Sequence, residues 1–197
     1  MNEKELVRKA QSGDFEAFSQ LIEKYKNKIY NLALKFSKNR QDAEDVLQDT
    51  FLKAVDNIDK FRGDSAFGTW LYTIAVNIMR AQYSKDQKAD LRPIEEYLPE
   101  GHGDNTIHIE LFDWGNPQEL MEQKELKQAI DNALAELPQK YSMPFILRYF
   151  EDMQVSEIAN VMKLTVPAAK SRILRARLAL REKLSELFRE KIDERVQ

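Results

Sequence analysis

Apolar side chains recur every third or fourth residue along both ends of this chain, and the recurrence fails over residues 85–115. In "EAFSQLIEKYKNKIYNLALKFS", Phe18, Leu21, Ile22, Tyr25, Ile29, Leu32 and Phe36 fall on one helical face. Helical rather than alternating spacing can be buried only by helix packing on helix. "SGD" at 12–14 separates a short leading helix from this one. A third helix is expected from Asp42 to Asp59 and a fourth from Ala66 to Ser84, with the Gly63 loop "KFRGDSAF" between them. In the break, "RPIEEYLPEGHGDNTIHIELFDWG" holds two prolines and three glycines and reads as a linker. Helical signals resume with Asn116 as N-cap, Pro117 at the first position and Glu119 at the third. That helix should end at Leu137–Pro138, and Pro144 should kink the next one. A short helix capped by Ser156 and a long one from Val166 follow. The expected fold class is all-α: two small helical domains, residues 1–84 and 117–197, joined by an acidic linker at 85–116.

Charge divides along the same lines. The whole chain carries −3, but residues 85–122 alone hold three basic and ten acidic side chains. By contrast, "KLTVPAAKSRILRARLALR" (163–181) has six cations and no acid: Lys163, Lys170, Arg172, Arg175, Arg177 and Arg181. An acidic protein with such a segment can approach a polyanion locally despite its overall sign.

The spacing around that segment is helix-turn-helix. Ile158, Ala159 and Met162 face inward on the short helix, and Ala159 is small enough for a close crossing. Thr165 caps the next helix, with Pro167 in its first turn. Ala169, Ile173, Ala176 and Leu180 form its buried stripe. Lys170, Ser171, Leu174 and Arg175 fall on the other side, near the helix start, where a recognition helix presents side chains to the major groove. Arg172, Arg177 and Arg181 flank them and suit phosphates. A solvated basic helix is the plainer reading, but it leaves the preceding helix and turn unexplained.

The N-terminal half carries two further surfaces. In "RQDAEDVLQDTFLKAVDNID", Ala43, Leu47, Ala54 and Ile58 share one face. Asp42, Asp45, Asp49 and Asp56 form a stripe nearly opposite, with Gln48 and Leu52 beside it. Such a stripe is either a solvated face or a protein-contact surface, and Leu52 favours the second. In "FGTWLYTIAVNIMRAQYS", Leu71, Ile74, Ala75 and Ile78 face the core, and Thr69, Thr73, Asn77, Arg80 and Ser84 form the other side. Phe67, Trp70, Tyr72 and Tyr83 surround that polar strip, a mixture suited to stacking and edge-reading of unpaired bases. Core packing is the default for Phe67 and Trp70 taken singly.

"AEDVLQDTF", "FGTWLYTIAVN" and the stretch from "LPQKYSMPFILRYF" to "LALREKL" resemble the extracytoplasmic-function sigma factors of bacterial RNA polymerase, in the family's order and over nearly the whole chain. The resemblance implies promoter-directed transcription initiation, in a stress or envelope response, with no catalysis and no cofactor. It places Asp45, Gln48, Asp49 and Leu52 on the surface that docks on the clamp helices of the polymerase's largest subunit. It assigns Lys60, Arg62, Phe67, Trp70, Thr73, Asn77 and Arg80 to opening and reading the −10 element. Lys170, Ser171, Arg172, Leu174, Arg175 and Arg177 would read the −35 element. Implied partners are the polymerase core, including its flap region, promoter DNA both duplex and melted, and an anti-sigma factor, often membrane-anchored. The acidic linker would thread the polymerase interior. The chain departs from the family's pattern at Pro167, Ala168 and Ala169, and at Ser142.

Two other classes fit less of the sequence. A dimeric operator-binding regulator explains 155–181 but leaves "FGTWLYTIAVN" without purpose, and an adaptor does not explain the acid-free helix. No nucleophile–base pair or phosphate loop marks an enzyme, and no small-molecule substrate is implied. His102 and His108 lie near Asp104 and Glu110 in the linker, a context too open to assign a metal. With no cysteine and no apolar leader or anchor, the expected location is cytoplasmic.

Overall fold

A computed structural model of the 197-residue chain describes residues 2–37, 39–86 and 123–196. Its helices are α1 (Glu3–Gln11), α2 (Phe15–Leu34), α3 (Arg40–Asn57), α4 (Phe67–Asp86), α5 (Gln123–Glu136), α6 (Gln139–Tyr149), α7 (Val155–Met162) and α8 (Val166–Val196). A 3₁₀ turn, Ile58–Lys60, follows α3, and no strand occurs among the described residues. The all-α expectation holds. The linker, its histidines and the Asn116 start signal lie outside the described residues.

Packing groups the helices into two compact units. The first comprises α1 to α4 together with residues 151–166, which contain α7; the second comprises α5, α6 and α8 from Pro167 onward. By sequence α7 falls within 117–197, yet in space it packs on α4.

In the first unit, short polar side chains set the helix starts. Asn2 Oδ1 accepts the Lys4 amide at 2.7 Å, Asp14 Oδ1 that of Ala17 at 3.0 Å, and Asn39 Oδ1 that of Asp42 at 2.8 Å. The cap at Asn39 starts α3 two residues before the expected Asp42. Gly13, at φ 90°, supplies the turn between α1 and α2. Leu21, Ile29, Leu32, Val46, Leu71 and Val76 are fully enclosed. On α3 the buried face is Ala43, Val46, Thr50 and Ala54, so it is Val46 rather than the expected Leu47 that turns inward. Thr50 is tolerated there because its hydroxyl donates to the Val46 carbonyl at 2.6 Å.

Gly68 decides how closely α4 approaches α2. A Cβ at that position would lie 2.8 Å from Tyr25 Cε1. Tyr25 cannot readily give way. Its hydroxyl donates to Glu3 Oε2 at 2.8 Å, it accepts from the Gly68 amide, and its ring packs on Phe67 at 5.7 Å. Burial and the Glu3 carboxylate together push the Tyr25 hydroxyl well above its ordinary range. Burial works to raise the Glu3 carboxyl, but hydrogen bonds from Lys24 and Tyr25 outweigh it, so Glu3 lies below its usual value.

In the second unit, Ala129 of α5 packs with Leu184 and Phe188 of α8, flanked by Leu126 and Ile130. Lys183 meets Glu136 at the edge. Helix α6 is enclosed on nearly every side: Tyr141, Ser142, Met143, Pro144, Phe145, Ile146 and Leu147 are all buried. Pro144 sits inside a continuous α-helix.

Two predictions test this account. Gly68→Ala should destabilise the protein by ~1–3 kcal/mol, because the added methyl must displace a ring held at both ends; thermal unfolding followed by circular dichroism measures it. Glu3→Gln should lower the melting midpoint at pH 7. Because the folded Glu3 carboxyl lies below its unfolded value, its contribution is present above the unfolded pKa and disappears as pH falls through the folded one. The mutant and wild-type midpoints should therefore converge in acid.

Candidate nucleic-acid and protein interfaces

Helix α8 separates its two kinds of side chain along its length. Ala169, Ile173, Ala176 and Leu180 are buried as the periodicity requires, and Leu184 and Phe188 continue the same line. Lys170, Ser171 and Leu174 are exposed, and Arg172, Arg175 and Arg177 are partly exposed. None of these cations lies in an ion pair among the described residues. Cationic side chains with no ion pair among the described residues are placed to meet phosphates and base edges.

The turn before α8 is tight. Lys163 adopts the left-handed conformation at φ 55°, and the Leu164 amide donates to the Ala159 carbonyl at 2.8 Å. Ile158, Ala159 and Met162 of α7 are buried as expected. The cap of α7 differs from expectation: Gln154 precedes the first turn, its amide donating to the Glu157 carboxylate at 3.0 Å, and Ser156 lies inside the helix.

On α3, Asp45, Gln48, Asp49 and Leu52 are all exposed at positions i, i+3, i+4 and i+7, which makes them one stripe. Leu52 is 61% exposed and Val55 beside it 43%. The sequence reading missed Val55, although its spacing of three from Leu52 carries the signal. Apolar side chains this open, next to carboxylates, form a surface suited to another protein.

The loop and α4 make the third surface. Lys60 and Arg62 are exposed; Lys60 Nζ donates to Asn57 Oδ1 at 3.0 Å and Arg62 Nε lies 3.1 Å from Asp64 Oδ2. Gln11 of α1 anchors this loop, its amide donating to the Ile58 and Phe61 carbonyls at 3.0 and 2.7 Å. No sequence signal pointed to Gln11, because its partners lie some fifty residues away and are backbone.

Phe67 is 3% exposed, at the centre of a cluster with Tyr25, Phe61 and Trp70. In this structure Phe67 is enclosed rather than open to a base. In this arrangement it supports Trp70, which is half-buried and stacks at 5.1 Å on Phe61. Thr73 is also half-buried and turns its hydroxyl back to the Thr69 carbonyl at 2.9 Å. Asn77 and Arg80 are exposed.

The polar side of α4 is not wholly open. Thr69 and Tyr72 are buried under the segment that leads into and forms α7. The Thr69 hydroxyl donates to Glu157 Oε1 at 2.8 Å, the Tyr72 hydroxyl donates to Glu151, and Arg80 Nη1 donates to the Met162 carbonyl at 3.3 Å. Burial pushes the Glu151 carboxyl above its ordinary range, with the Tyr72 hydrogen bond opposing, and burial and Glu151 together push the Tyr72 hydroxyl strongly upward.

Comparison with known proteins identifies the family. Residues 21–89 match the family model of sigma-70 region 2, and residues 127–180 match that of sigma-70 region 4. The chain is 37% identical over 188 residues to the ECF RNA polymerase sigma-E factor of Escherichia coli, covering 93% of this chain and 95% of that one. It is 34% identical over 194 residues to the RNA polymerase sigma-H factor of Pseudomonas aeruginosa, covering 95% and 96%. Among solved structures it resembles CnrH in complex with the cytosolic domain of CnrY, with a TM-score of 0.67, 27% identity, and coverage of 93% and 97%. The chain belongs to the extracytoplasmic-function sigma factors of bacterial RNA polymerase.

Proposed function

We propose that this protein directs RNA polymerase core to specific promoters and helps open the DNA there, with the chemistry of initiation left to the polymerase. The observation that carries the reading is the division of α8 into a buried apolar stripe and a solvent-facing cationic side, combined in one chain with the open acidic and apolar stripe of α3.

Roles are assigned by surface. Asp45, Gln48, Asp49 and Leu52 dock on the clamp helices of the largest polymerase subunit, with Val55 extending the apolar contact. Lys60 and Arg62 hold the phosphates of the separating strand. Trp70, Thr73, Asn77 and Arg80 take up the melted −10 bases, and Phe67 sets the position of Trp70 from beneath. Lys170, Ser171, Leu174 and Arg175 read the −35 duplex, while Arg172 and Arg177 bind its backbone. Residues 1–84 and 117–197 serve as the two functional domains, and the acidic segment 85–116 threads the polymerase near the template path. The helix-turn-helix domain also contacts the flap region.

The protein works in the cytoplasm, in a stress or envelope response, under an anti-sigma factor that holds it at the membrane. CnrH, one of the solved structures that this chain resembles, is in complex with the cytosolic domain of CnrY. Among the described residues no helix is long and apolar enough to cross a membrane, so membrane attachment falls to the partner.

Run-off transcription with core polymerase on a promoter library, read by sequencing, tests the whole reading; failure to bind core at any salt concentration overturns it. Asp45→Lys with Asp49→Lys should abolish core binding and leave helical content unchanged by circular dichroism. An equally tight complex would return the α3 stripe to a solvated face. Arg175→Ala or Lys170→Ala should weaken −35 discrimination by ~1–3 kcal/mol in competition binding. Asn77→Ala should instead slow strand opening, and a template with a pre-melted bubble should rescue it while leaving the Arg175 defect in place. Base contacts on extruded bases offset an unpairing cost of a few kcal/mol, which groove contacts to duplex do not.

A further inference from the structure

The cationic side of α8 is not uniformly polar. Pro167, Ser171, Leu174 and Leu178 follow at i, i+4, i+7 and i+11, which places them on one line of the helix, away from the buried Ala169, Ile173, Ala176 and Leu180. Pro167, Ser171 and Leu174 are exposed, Leu174 at 44%, and Leu178 is half-buried. Lys170 and Arg177 border the line on one side, and Arg172 and Arg175 on the other. An exposed leucine standing alone needs no explanation. Here a leucine and a proline are aligned within an acid-free segment and framed by cations, which suits a polyanion with apolar groups on its surface. In duplex DNA, the thymine C5-methyl is the apolar group that base edges present in the major groove.

We propose that Pro167 and Leu174 are specificity-determining residues that read thymine methyl groups in the −35 duplex, beside the hydrogen-bonding contacts of Lys170 and Arg175. The inference rests on the assignment of α8 to the −35 element and adds which base pairs it selects. Neither side chain has a polar atom, and Pro167 also lacks the backbone N–H, so each meets a base edge only by apolar contact. Lys170 and Arg175 find their acceptors on guanine, and Leu174 falls between them in the sequence of the helix. Seven residues separate Pro167 from Leu174, a rise of ~10.5 Å along the helix, or about three base steps of ~3.4 Å. The −35 element therefore carries two A·T pairs about three base pairs apart, with guanine between or beside them. Pro167 is a position at which the chain departs from the family's pattern, so this preference belongs to the chain itself.

The test uses holoenzyme reconstituted from core polymerase and the full-length chain, on a promoter recovered from the run-off library. Each thymine of its −35 element, on either strand, is replaced in turn by deoxyuridine, which removes only the methyl group. Competition binding reads the loss. At one position deoxyuridine should weaken the wild-type holoenzyme about fourfold, the contribution of one methyl buried from water. Leu174→Ala should weaken binding to the thymine promoter by as much and be indifferent to deoxyuridine at that position. A second position, about three base pairs away, should respond in the same way to Pro167→Ala. Leu187→Ala, at a leucine of similar exposure beyond the cationic segment, should keep the full response at both. Circular dichroism checks that each variant folds. A −35 element without thymine, deoxyuridine effects below about twofold throughout, or effects that survive Leu174→Ala and Pro167→Ala overturn the proposal, each residue being judged at its own position. A Leu174→Ala chain that assembles poorly with core while its holoenzyme keeps the deoxyuridine response also overturns it, by making the line a protein contact. Failure of the wild-type holoenzyme to transcribe from any library promoter sinks the assigned function, whereas intact transcription with no methyl response sinks only this inference.

Discussion

The close seat of α4 on Tyr25 is the constraint on which the first unit depends. Only a residue without Cβ fits at Gly68, and the ring above it is fixed from below by Glu3 and from the side by Phe67. This pins the start of α4, and with it the direction in which every later residue of the helix points. Trp70, Thr73, Asn77 and Arg80 follow at intervals of three or four, so they take their register from that one contact. The aromatic cluster extends the effect to the loop, because Phe61 touches both Phe67 and Trp70 while Gln11 holds the backbone at Ile58 and Phe61. Lys60 and Arg62 therefore project from a loop with fixed ends. The buried network positions the exposed charges.

Much of this was legible in the sequence, and the exceptions share a cause. The buried line on α8 could be read residue by residue, since a long helix with one apolar stripe leaves little choice of which face turns inward. Helix α4 could not be read so well. Its expected polar side included Thr69, which is buried, and Ile74 of the expected core face is half-exposed. The reason is that α4 has neighbours on more than one side: α2 and α3 cover one, and α7, far away in sequence, covers another. Periodicity describes one buried face and is silent about a second. Phe67 fell to the same ambiguity, for a large aromatic next to polar groups fits a stacking platform and a core equally well. On α3 Val46 takes the place expected of Leu47, while Ala43, Ala54 and Ile58 stay buried as expected. That difference was invisible because Thr50, polar by type, is accepted into the core through its own helix carbonyl.

The start of α7 shows a different limit. Ser156 is a good cap by type, but Glu157 offers the Gln154 amide a carboxylate, and the helix begins one residue before Ser156. The same Glu157 receives the Thr69 hydroxyl. One side chain thus ends a local backbone problem and makes a tertiary contact, and only the first role has a signature within three residues.

Charge placement bears on why such a protein would need its polymerase. With a net charge of −3, the free chain has no long-range attraction to DNA, and at physiological salt fields fade over roughly 8 Å. The six cations of 163–181 act only at contact distance, where each phosphate neutralised releases counterions. On the proposed assignment, the α3 stripe supplies what the net charge withholds. Docking through Leu52 and the flanking carboxylates brings the basic helix and α4 to the promoter as part of a larger body, turning two weak encounters into one bound geometry. An acidic chain with a local cationic row is then selective by construction, since its net charge offers random DNA no attraction while the polymerase-bound form is held in reach.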